Sequence, residues 1–330
     1  MTQTSGTISA LPAKTNIFAL LRSPVFTQNM LLIAIVLVML GFSLASGAFL
    51  TGGNIRNIAL QSSIIMIVAI PSALLIISGY VDLSVGSILA VSGVCAGLAS
   101  MSFGMPVGVL CGIAAGAAAG AVNGYVIAIR GFSPVIVTLG MLTLLRGLAM
   151  VIAASPIYGF PEAMSQLGRG TLFGVPYLVL IALAVALAGG FVTAFSPLGR
   201  HIFAIGVNAR AAFLLGIRVR STVFLLYVLT GAAAGLGGAL QAARLDSAPA
   251  ESLGSGFELT VLTAILLGGV SFSGGRGRIF GVVLGIWFLG VLQNGLTLLN
   301  VPISWTSVVT GVALVTAAGL DHLSQRGARR

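Results

Sequence analysis

Few side chains in this sequence could do chemistry, and the most conspicuous is a carboxylate. Asp82 is the one acid lying within or at the edge of a long apolar stretch, in Ser78-Gly79-Tyr80-Val81-Asp82-Leu83-Ser84-Val85-Gly86-Ser87. A carboxylate at the centre of a membrane helix costs about 2.5–3.5 kcal/mol on insertion scales. The glycines around it point to broken helix, and Asp82 or Ser84 can cap the restart by accepting a free N–H. Such a cap would hold irregular backbone beside a cavity. The alternative is direct contact with a bound small molecule, and the spacing leaves both open.

Other chemistries are excluded by residue type. The only lysine is Lys14, and no glycines precede it in the order a Walker A loop requires. The only histidines, His201 and His322, lie outside the apolar stretches, which removes intramembrane Ser–His catalysis and histidine metal clusters. No Gly-x-Ser-x-Gly and no His-Glu-x-x-His occurs. Cys95 and Cys111 lack His or Cys at ligand spacing and are expected as buried free thiols. The turn Ser271-Phe272-Ser273-Gly274-Gly275-Arg276-Gly277-Arg278 follows no strand, so it reads as a tight connection and not as a phosphate cradle.

The longest basic segment, 199–221, holds a second readable device. Asn208 is a good N-cap, the residues from Ala209 to Leu215 are mostly strong helix formers, and Gly216 suits the left-handed residue that ends a helix. The spacing predicts a helix of about two turns carrying Phe213, Leu214 and Leu215 as an apolar knob. That knob either lies on the lipid surface or docks in a groove of a soluble partner.

The elements that must carry these residues follow from composition. Of 330 residues, 58% are hydrophobic and 7% charged, against roughly 25% charged in soluble chains. The expected fold is all-α and polytopic in a membrane, with about ten transmembrane helices. Their windows lie near 26–46, 57–77, 85–103, 106–129, 134–154, 175–195, 220–241, 259–272, 279–298 and 302–320, the third one broken. Residues 1–25 form an N-terminal segment without a cleavable signal pattern, 26–320 the membrane domain, and 321–330 a basic tail.

With both termini cytoplasmic, the inner face holds Lys14, Arg22, Arg130, Arg200, Arg210, Arg218, Arg220, Arg276, Arg278, Arg326, Arg329 and Arg330. The outer face holds only Arg56, Arg169 and Arg244, and Arg146 falls inside the membrane. This is the positive-inside bias. It accounts for the net charge of +10 without nucleic acid as a partner.

Glycines at 112, 116, 120 and 124 share one helix face, as do those at 277, 281 and 285, which lets another helix approach closely. A weak internal repeat runs from Gly120, Asn123-Gly124 and Ser133 to Gly290, Asn294-Gly295 and Ser304. Duplicated halves are common in transporters.

Three stretches resemble the permease subunits of ATP-binding-cassette sugar importers of the monosaccharide (ribose-type) class. They are Gly79–Ser87; Ile205-Gly206-Val207-Asn208 with Ala211-Ala212 and Gly216-Ile217; and the ordered series Ala243–Ala248, Gly256–Leu259, Leu267–Ser271, Gly274–Arg278 and Gln293–Leu296. The resemblance covers about residues 50–320. It implies a coupling helix at 208–216, with Asn208, Ala211, Ala212, Phe213, Leu214, Leu215 and Gly216 facing a cytoplasmic ATP-binding subunit. It also implies a periplasmic sugar-binding protein on the outer loops, and two permease copies, as a homodimer or heterodimer, around one pathway. ATP and magnesium belong to the partner, so no cofactor is expected on this chain. Ala209 and Arg210 stand where the family often has acids.

The pathway is expected to hold solute weakly through hydroxyl-matching groups. The candidates are Asn57, Gln61, Asp82, Ser84, Asn123, Thr138, Gln293 and Asn294. Each also fits a bond to a neighbouring helix, worth about 0.6 kcal/mol on average. An ion-coupled secondary transporter is the competing reading, and it would need a relay for which only Asp82 and Arg146 are available.

Overall fold

The computed structural model describes residues 24–328. The expectations for Lys14, Arg22, Arg329 and Arg330 fall outside them. The chain runs α1 (Pro24–Ala45), α2 (Gly52–Ile77), α3 (Val85–Phe103), α4 (Met105–Gly124), α5 (Pro134–Ile152), α6 (Glu162–Arg169) and α7 (Tyr177–Phe195). It continues through α8 (Pro197–Val207), α9 (Ala209–Leu214), α10 (Val219–Leu245), α11 (Phe257–Leu267), α12 (Ile279–Leu298) and α13 (Ile303–Ala328). Seven of these helices are long and apolar enough to cross a membrane, and α1, α11 and α13 contribute shorter apolar stretches. The all-α, polytopic expectation therefore holds.

Helix α4 ends in a π-helical turn, Tyr125–Ile129, where the Arg130 N–H reaches the Tyr125 carbonyl at 3.1 Å. Two-residue strands add a clasp. Ile157–Tyr158 pairs antiparallel with Ser247–Ala248, and Asp246 accepts from Ser165 Oγ at 2.9 Å. This ties the α5–α6 connection to the end of α10.

The core is built on glycine. On α4, Gly112, Gly116 and Gly120 meet Gly231 and Gly235 of α10. A Cβ on Gly116 would strike the Gly231 carbonyl and lie 2.7 Å from the Gly235 Cα. The predicted glycine face is thus a helix–helix contact of the kind small residues permit. The second series is corrected at one end. Gly281 and Gly285 do pack on α11, but Gly277 precedes α12 and is not on its face.

Three further readings are refined. The basic segment expected as a loop from residue 199 is helical as far as Val207, because Ser196 caps α8 by accepting the Gly199 N–H at 3.0 Å and Pro197 follows at the first helical position. The span near 259–272 is an eleven-residue helix only. Cys95 and Cys111 are free thiols, half-buried instead of fully buried.

Candidate functional site: two irregular segments and an exposed short helix

Helix α2 stops at Ile77 and α3 starts at Val85. Between them Ser78, Val81, Asp82 and Ser84 are buried, with Asp82 7% exposed and Ser84 0%. Buried backbone outside a helix needs partners. The Asp82 carboxylate supplies them: its Oδ1 accepts from the Ser84 N–H at 2.8 Å and from Ser84 Oγ at 2.6 Å. Asn123 of α4 closes the cluster, donating from Nδ2 to Asp82 Oδ2 at 3.2 Å and to Ser84 Oγ at 2.9 Å. Tyr227 of α10, fully buried, donates its hydroxyl to the Val81 carbonyl at 2.9 Å. Asp82 therefore shapes the turn that starts α3, while Ser84 occupies the N-cap position without a side-chain cap bond.

A second irregular segment, 249–256, joins α10 to α11. Arg146 of α5 enters the protein and donates from Nη1 to the carbonyls of Ala250 at 3.0 Å and Leu253 at 2.6 Å. The two segments touch. A Cβ on Gly86 would strike Glu258 Oε2 and sit 2.5 Å from the Gly254 carbonyl oxygen. The N-terminal ends of α3 and α11 thus abut, and their dipoles favour the nearby carboxylates of Asp82 and Glu258. Interrupted helices meeting this way form binding sites in transporters. Here the hollow between them, lined by Ser72, Asp82, Leu83 and Glu258, measures about 10 Å³. That is room for one water and not for a sugar.

The remaining candidates separate. Asn294 of α12 exchanges amide bonds with Asn54 of α2, at 2.8 and 2.9 Å. Gln61 Nε2 donates to Gln293 Oε1 at 3.4 Å on the same α2–α12 seam. Asn57 is exposed. Thr138 is buried and donates to the Pro134 carbonyl of its own helix at 2.8 Å. Gln61 and Ile77 are 16 residues apart on α2, or about 24 Å. Apart from Thr138 on α5, the polar candidates therefore form two groups near opposite ends of α2.

Sequence reasoning missed Asn54 and Tyr227. Each is a polar group in an apolar helix, and that signal was present. A larger groove of about 790 Å³ opens between α2, α7 and α12, but its walls are apolar apart from Ser62 and Ser63. It suits acyl chains better than a polar solute. Among the described residues, no group of three or more His, Cys, Asp and Glu could hold a metal.

Helix α9 sits at the edge of the packed spans, anchored by Ala212. Asn208 caps it, its side chain accepting the Ala211 N–H at 3.0 Å. Gly216 ends it at φ +86°, with its N–H bonded to the Phe213 carbonyl at 3.0 Å and Ile217 N–H to the Ala212 carbonyl at 3.1 Å. Ala212 faces inward, whereas Phe213, Leu214 and Leu215 are 67%, 77% and 82% exposed. Three adjacent bare apolar side chains mark a surface that something covers.

The sequence also matches a known family over most of its length. A family model described as "Branched-chain amino acid transport system / permease component" aligns with residues 54–318. The ribose import permease protein of Escherichia coli (strain K12) is 39% identical over 300 residues, covering 89% of this chain and 93% of that one. The D-allose transport system permease protein of the same organism is 36% identical over 303 residues, covering 88% and 90%. The xylose transport system permease protein of Haemophilus influenzae is 31% identical over 364 residues, covering 90% and 96%.

Proposed function

The chain belongs to the branched-chain amino acid transport system / permease component family, and we propose from that premise that it lines the route of a sugar or similar small polar solute through the membrane. It is a multi-pass inner-membrane permease of an ATP-driven importer, and ATP hydrolysis resides in a separate subunit. The family implies an ATPase and a solute-binding protein as partners. The observation that carries the reading is identity of 31–39% to ribose, allose and xylose permeases over nearly the whole chain.

On this reading α9 is the contact for the ATPase, its apolar knob seated in a groove of that partner. Both termini then lie in the cytoplasm with the basic loops, in accord with the charge bias. Asn57 and Gln61 line the pathway together with Gln293. Polar side chains on an exposed helix face are disfavoured against lipid, so this face looks onto a water-filled route shared with a second permease copy. Asp82, Ser84 and Asn123 hold the irregular segment in shape. ATP drives transport by binding two conformations of the assembly with different affinity.

Proteoliposomes test this directly. Permease, ATPase and binding protein together should accumulate sugar with ATP, and the permease alone should not. Accumulation that ignores ATP and collapses with an uncoupler would overturn the proposal. A thermal-shift screen of the binding protein against monosaccharides identifies the solute.

A further inference from the structure

Three turns that carry no pathway residue meet at one point. Helix α2 ends with Gly79 at φ +86°, whose N–H bonds to the Ile76 carbonyl at 2.8 Å, while Tyr80 N–H bonds to the Leu75 carbonyl at 3.1 Å. This closing motif leaves the Ile77 carbonyl without a partner from its own helix. The partner comes from the α11–α12 turn: Gly275 N–H donates to Ile77 O at 2.8 Å. Gly206, in the last turn of α8, lies directly on that bond. A Cβ on Gly206 would strike both Ile77 O and Gly275 N. A Cβ on Gly274 would lie 2.9 Å from the Gly79 Cα and 3.0 Å from the Gly206 carbonyl oxygen.

The glycines are required for two different reasons. Gly79, Gly274 and Gly275 have φ of +86°, +81° and +71°, which side-chain-bearing residues rarely adopt. Gly206 is helical and needs only the absent side chain, because backbone fills the space. Three backbones therefore touch with no rotamer between them to yield. Close-packed contacts of this kind transmit displacement. The position matters: only two residues separate Gly206 from α9, and Gly79 opens the segment that Asp82 and Asn123 hold.

We propose that the Gly206–Ile77–Gly275 junction passes movement of α9 to the 78–84 segment and to the α11–α12 turn. These are positioning residues and touch no solute. The inference rests on the reading of α9 as the ATPase contact.

The test is the solute moved per ATP hydrolysed by the full reconstituted importer. Gly206→Ala is compared with Gly140→Ala, which stands in open space on α5. Gly206→Ala should retain the ATPase and its hydrolysis while solute per ATP falls about tenfold. Gly140→Ala should match wild type. A wild-type ratio in Gly206→Ala overturns the junction.

A second measurement needs no variant. A non-hydrolysable ATP analogue added to the wild-type complex should change amide exchange in 78–84 and 268–278 together, and a change in neither or only one of them overturns the proposal. The reading of α9 fails separately, if Phe213→Asp/Leu214→Asp still retains the ATPase, and the junction then loses its driver and falls with it.

Discussion

The side chains of Asn54 and Asn294 donate to each other, at 2.8 and 2.9 Å, across 240 residues of sequence. Asn54 also donates to the Phe49 carbonyl at 2.8 Å. The pair pins the start of α2 to the far end of α12. Interhelical bonds of this kind are worth about 0.6 kcal/mol on average and about 1.7 at most. A double-mutant cycle of Asn54→Ala and Asn294→Ala, followed by unfolding in detergent, should give a coupling energy in that range. Strict additivity of the two variants would show that the pair contributes nothing jointly.

Asp82 should matter for shape before it matters for solute. Asp82→Ala leaves Ser84 N–H, Ser84 Oγ and one Asn123 amide bond without their acceptor. Each stranded buried group costs about 1–3 kcal/mol. The variant should melt at lower temperature and transport poorly. Asp82→Asn should recover only part, because its amide keeps one acceptor oxygen where Ser84 and Asn123 both donate. A melt unchanged from wild type in Asp82→Ala would contradict the role given to this carboxylate.

The α4–α10 seam makes a sharp contrast with α5. Gly116→Val should fail to give monodisperse protein in detergent, since its first added carbon meets the Gly231 backbone. Gly147→Ala meets nothing within 4 Å. It should be neutral or stabilise by up to about 1 kcal/mol through helix propensity. Size-exclusion profiles and melting curves of the two variants check this.

For α9, Phe213→Asp and Leu214→Asp together should leave membrane insertion intact and abolish co-purification of the ATPase. Both side chains are mostly bare in the isolated chain, so the change costs the fold little. Undiminished co-purification would place the partner contact elsewhere.

The spans were legible because a run of about 20 apolar residues has few other uses. The non-helical stretch at Gly79–Ser84 was legible for a related reason, since glycine and a lone acid oppose a continuous membrane helix, but it joins two full-length helices, and the third span itself runs unbroken from Val85 to Phe103. The α9 caps were readable from Asn208 and Gly216 alone, because capping is local. Helix α8 escaped a reading based on apolar runs, because Arg200 and His201 interrupt its apolar pattern, although Ser196-Pro197 carries its start signal. The pairings of Asp82 with Asn123 and of Asn54 with Asn294 were out of reach. A single sequence states which residues are polar in apolar surroundings, and it does not state which helix faces meet.

The π turn at Tyr125–Ile129 carries a last consequence. A π turn spans one residue more than the α turn it replaces. Shortening a membrane helix by one position ordinarily swings everything beyond it to another side. Here the surplus residue is already present, so excising one position between 125 and 129 would let the ladder revert to regular winding. That makes this stretch the place where the span can lose a position while the residues after it keep their orientation.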